Sequence, residues 1–143
     1  MTPQATKDLV ERISTVLTPL GGVCAATLGG TENDPALENC PLPSAWVRFE
    51  GSQSAGPNEQ RSQAMLLNFS AVLVVEYGKG ETDFTDTQLK LIDDVSQAVR
   101  GTQADPAGNL WTFLGANLLT INPDRCMYLL QFQVRGYYAK QLT

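Results

Sequence analysis

The chain reads as an α+β domain: a four-stranded, mainly antiparallel sheet, built in the order helix, hairpin, helix, hairpin, with both helices packed on one face. Three observations predict it. Met65–Tyr77, MLLNFSAVLVVEY, alternates with a period of two, and so does Cys126–Tyr138 behind a turn signal. Two other stretches, Leu9–Leu20 and Leu89–Val99, place their apolar residues at helical spacing.

With 143 residues the chain fits a single domain, 1–143, around one core. Apolar residues make up 43% and charged residues 17%, light in charge for a small monomer, which hints at surface covered by partners. The net charge of −5 provides no electrostatic footprint for nucleic acid, and none is expected as a sequence-specific partner. Met1 leads into a polar, helix-like start and no apolar run approaches membrane-spanning length. Neither a targeting segment nor a membrane partner is therefore expected. The cysteines are Cys24, Cys40 and Cys126. An odd count at wide spacing argues against a disulfide framework, and without histidine or a CxxC pair no zinc site is expected.

Thr2-Pro3 suits a helix start, and Leu9, Val10, Ile13, Val16, Leu17 and Leu20 follow on one face, so a helix is predicted over about Pro3–Thr18. Pro19 and Gly21-Gly22 end it. Gly22–Pro43 is loop-like, with Val23–Leu28 able to form a short strand. Ser44–Glu50 alternates as a strand. Gly51–Gln63 has no apolar residue larger than alanine and reads as a long, mobile hairpin tip before the Met65–Tyr77 strand. That strand is the spine of the sheet, spanning roughly 40 Å at 3.4 Å per residue. Its face of Met65, Leu67, Phe69, Ala71, Leu73, Val75 and Tyr77 is wholly apolar; Leu66, Asn68, Ser70, Val72, Val74 and Glu76 make a mixed one. Gly78-Lys79-Gly80 ends it. Thr85–Gln88 has a capping-box pattern, predicting a helix over about Asp86–Arg100. Leu110–Ile121 and Cys126–Tyr138, around Asn122-Pro123-Asp124, form the closing hairpin.

Catalytic signatures are missing. Gly78-Lys79-Gly80 lacks the third glycine and the βαβ setting of a dinucleotide loop. Asp93 and Asp94 are helix neighbours about 100° apart and do not face each other. Glu81, Asp83 and Asp86 lack calcium-loop spacing, and no Ser, Cys or Thr has a histidine to activate it. No enzyme activity, cofactor or metal is expected.

The element order, together with the Leu9–Leu20 stripe, PSAWVRFEG at Pro43–Gly51, LLNFSAVLVVEYG at Leu66–Gly78, LIDDVSQAV at Leu91–Val99 and YLLQFQVRGYY at Tyr128–Tyr138, resembles the tail-terminator proteins of tailed bacteriophages. The resemblance implies a structural virion protein of the tail or neck, assembled in the host bacterial cytoplasm. It implies a homo-oligomeric ring, six-membered in the family, that caps the tail tube, ends its polymerisation and joins the head connector. The implied partners are further copies of the chain, the tail tube protein, a head connector or neck protein, and the sheath protein of a contractile tail. Candidate subunit or tube contacts are Arg48, Glu50, Ser52, Gln53, Asn58, Glu59, Gln60, Arg61, Val72, Val74 and Arg135. Val72 and Val74 admit a second reading, in which the Gly22–Pro43 loop covers them within one chain. The alternative function is a small-molecule-binding or regulatory α+β domain, since such sheets host many functions.

Overall fold

The computed structural model describes residues 2–26, 40–58, 62–76, 81–104, 108–121 and 125–139. Its elements are α1 (Thr2–Leu17), a 3-10 turn (Thr18–Leu20), β1 (Val23–Ala26), β2 (Ser44–Asn58), β3 (Ser62–Glu76), α2 (Glu81–Val99), β4 (Thr112–Ile121) and β5 (Arg125–Ala139). Most of the predicted loop (27–39), Glu59, Gln60 and Arg61 of the predicted tip, Gly78-Lys79-Gly80 and Asn122-Pro123-Asp124 lie outside the described residues, as do the side chains of Thr2, Pro3 and Thr85.

The sheet corrects the four-stranded, mainly antiparallel expectation. It has five strands in the order β1-β2-β3-β5-β4 and is mixed, because β1 runs parallel to β2. Parallel neighbours cannot be joined by a tight turn, so the long segment read as a loop is what the topology requires between them. Only the part nearest β2 is described. The 3-10 turn ends at Gly21, whose φ of 78° is the left-handed region glycine takes without strain. Gly22 then passes so close to Pro43 that a Cβ would run into the Pro43 carbonyl. The Val23 amide donates to that carbonyl at 3.3 Å, which seats β1 beside the start of β2.

The β2–β3 hairpin is also longer than expected. Each strand has 15 residues, and only 59–61 separate them. Gly51–Asn58 and Ser62-Gln63 are therefore strand, not a long loop, with register shifts at Phe49/Gly51 and Ser54/Asn58. β3 supplies the reason: it is paired along its whole length to β5, from Ser62↔Ala139 to Glu76↔Arg125, so polar β2 residues have a preformed edge to join. α2 starts at Glu81, before the predicted cap, and Gln88 is a buried interior residue whose Oε1 accepts from the Tyr128 hydroxyl at 2.6 Å.

The main core lies between the helices and one face of the sheet. Leu9, Ile13 and Leu17 of α1 and Val95 and Val99 of α2 are fully buried there, packed with Val47, Phe69, Leu73, Leu130 and Phe132. Trp111 joins the layers. Its ring meets Phe69 edge-on at 5.2 Å, and its indole N–H donates to Asp8 Oδ2 at 2.7 Å, the same oxygen that accepts from Arg12 Nε at 2.8 Å. A buried indole gains a partner and a half-buried carboxylate gains two.

A second, smaller core sits on the opposite face: Cys40, Val72, Val74 and Met127, flanked by Leu42, Trp46, Leu119 and Leu129. Val72 and Val74 are therefore covered within the chain by the end of the loop and by Trp46, as the second reading of that face has it.

Candidate functional site

Beyond this second core, the face of the sheet away from the helices turns polar. The ladder register places Arg48, Ser70 and Gln131 in one row, Asn68 and Gln133 in the next, and Gln53, Leu66 and Arg135 in the third. Alternation along each strand keeps all of these on one side. Arg48 reaches Glu50 through Nε and Nη2, both at 2.8 Å from Oε1, and the Ser70 hydroxyl donates to the same oxygen. Gln133 Nε2 donates to Asn68 Oδ1 at 2.9 Å. The side chains thus arrive preorganised, with the charge of Glu50 matched locally. A half-exposed ion pair of this kind stabilises by about 0–1 kcal/mol, so its role is to fix geometry more than to hold the fold.

Of the sequence-predicted contacts, the structure brings together Arg48, Glu50, Gln53 and Arg135. Ser52 pairs with Leu67 and belongs to the other face. Asn58 closes β2 opposite Gln63, and its side chain, like Glu59, Gln60 and Arg61, lies outside the described residues. Asn68, Ser70, Gln131 and Gln133 were absent from the candidates. Their signal was present as the polar members of two alternating strands, but partners on different strands are apparent only once the register is known.

The Cys24 thiol is pushed up to about 12, chiefly by burial, with a hydrogen bond to Ser14 opposing. It stays protonated at neutral pH and is a poor nucleophile. Cys40 and Cys126 are buried. Among the described residues no group of three His, Cys, Asp or Glu side chains is placed to hold a metal ion. On α2, Asp94 pairs with Lys90 at 3.1 Å while Asp93 accepts from Gln97 at 2.9 Å, so the two carboxylates do not converge. What the polar face offers is amide, hydroxyl and guanidinium groups in fixed rows, suited to a flat, hydrogen-bonding protein surface.

No protein-family model matches the chain. No curated protein matches it either. Among solved structures, a chain from the virion of a native gene transfer agent particle shares its fold, with a TM-score of 0.55 and 14% identity, over 92% of each chain.

Proposed function

We propose that this chain is a structural, non-catalytic virion protein of a phage-type particle. It would form a ring on the end of the tail tube, stop tube growth and make the joint to the head connector. The observation that carries the reading is the near end-to-end fold match to a chain of a gene transfer agent virion, with neither chain holding a large unmatched part. The polar rows and the projecting hairpin supply a contact surface of the kind such a joint needs. No cofactor enters this role.

The test is co-expression with the tail tube protein of the same particle. With the chain present, tubes should be of uniform length and carry antibody label at one end. Without it they should run on to irregular lengths. Tubes of the same length distribution in both cases, with no end label, would overturn the proposal.

A further inference from the structure

The sheet distributes charge in an unusual way. Open edges are ordinarily guarded by lysine, proline or other charge, because unpaired N–H and C=O groups recruit foreign strands. Here the inner strands carry the charges: Arg48 and Glu50 on β2, Glu76 on β3, Arg125 and Arg135 on β5. The edge strands β1 (VCAA) and β4 (TFLGANLLTI) carry none, and neither contains proline. Among the described residues no strand lies on the far side of either. Large apolar side chains stand exposed along both: Val23 on β1, with Leu114, Leu118 and Ile121 on β4, each 42–52% accessible.

The two edges also stand at the same height. Val23, Ser44, Val74, Met127 and Thr120 form one continuous row across the sheet, and Ala26, Val47, Ala71, Leu130 and Ala116 form another. β1 is thus level with Ala116–Thr120 at the opposite edge. Within that span the register of β4 shifts once, at Leu118/Thr120, which leaves Ala116–Leu118 in unbroken register and level with Cys24–Ala26 of β1. Counting directions across the sheet, β4 runs opposite to β1, so a following copy would add its β1 to β4 as an antiparallel pair.

We propose that copies of this chain join head to tail through these edges, β4 of one against β1 of the next, continuing the sheet from subunit to subunit. Such a contact is heterologous, the kind that forms a ring when its rotation closes. The occupant is a second copy because the chain itself carries both halves of the joint, equally uncharged and level with each other. The inference rests on the ring reading above and names its surface.

The experiment uses Leu118→Lys and Val23→Lys in the full chain, with mass in solution as the readout. Both side chains are about half exposed, so circular dichroism and melting should match the wild type. Each variant alone should fall from the wild-type oligomer to a single subunit. Mixed one to one, the intact β4 edge of one variant should meet the intact β1 edge of the other, giving a mass of two subunits and nothing larger. Wild-type mass in Val23→Lys with monomeric Leu118→Lys would mean β4–β4 pairing and overturn the proposal. Wild-type mass in both variants would overturn the edges and leave the ring reading standing. A wild-type chain that is monomeric and absent from tail ends would overturn both. Should a variant fail to fold, hydrogen exchange on the wild type decides: amides of Val23–Ala26 and Ala116–Leu118 should gain protection on assembly, and unchanged exchange there would overturn the joint.

Discussion

Val74 has no exposed surface and Val72 has 2%, and what covers them is held by polar bonds to the sheet. Cys40 Sγ sits 3.0 Å from Ser44 Oγ, the Trp46 indole N–H donates to the same hydroxyl at 3.2 Å, and Arg125 Nη1 donates to the Cys40 carbonyl at 3.3 Å. These bonds pin the end of the loop over the two valines. A carboxylate at either position would leave water for this apolar cluster, at a cost of several kcal/mol each, against a total stability of about 5–15 kcal/mol. Val72→Glu with Val74→Glu should therefore abolish the cooperative thermal transition and the near-ultraviolet dichroism of the subunit. A well-folded monomer that merely fails to assemble would show the opposite, that this face is an interface. The alternation along β3 identified both valines as half of a mixed face. It could not choose their cover, because Cys40 and Leu42 are isolated apolar residues in a proline-rich segment with no period of their own.

At the scale of elements, long periodic stretches were legible and short or purely polar ones were not. α1, β3 and β5 each present enough alternation for their own side chains to define a buried face. β1 has four residues, too few for a period, and its place depends on a contact between Gly22 and Pro43 that no local pattern encodes. The outer half of β2 is polar and reads as loop, yet it is held as strand because β3 and β5 offer it a ladder. The same rows place the polar candidates: Arg48 and Glu50 stand two residues apart in sequence, but Ser70 and the Asn68–Gln133 pair reach the face only through the sheet register. Gly22→Ala tests the β1 junction. The new methyl meets backbone, which cannot rotate aside as a side chain would, so the strand must move. Overpacking of this kind costs about 1–3 kcal/mol. Urea denaturation should show a loss of that order, and amides of Val23–Ala26 should exchange faster while those of β3 do not. Stability within ±0.5 kcal/mol of the wild type, a range typical of an unstressed surface change, would show that the junction yields freely.

In the molecule as a whole, the sheet is wider at one end than at the other. β4 begins opposite Gln133, so the rows beyond it, starting with Ser52, Leu67 and Val134, have only β2, β3 and β5. The first of these rows still belongs to the main core, since Leu67 and Val134 are each 2% exposed. Past that row the three-stranded extension adds little to the main core beyond the partly buried Met65, while its backbone ladder keeps it stiff. Such an arm suits delivery of polar groups to a partner, because ladder pairing has already met the cost of about 1–2 kcal/mol per residue for ordering a backbone. Replacing residues 55–64 by Asn-Gly, which joins Ser54 directly to its partner Met65 through a two-residue turn, removes the end of the arm and keeps every core row. The shortened chain should melt within a few degrees of the wild type and keep the wild-type oligomeric mass, since β1 and β4 are untouched. In the tube assay it should fail to label tube ends, and tubes should run on as if the chain were absent. A large loss of stability would place the arm within the core. Normal end capping by the shortened chain would remove the arm from the contact with the tube and leave that role to the polar rows around Arg48, Ser70 and Gln131.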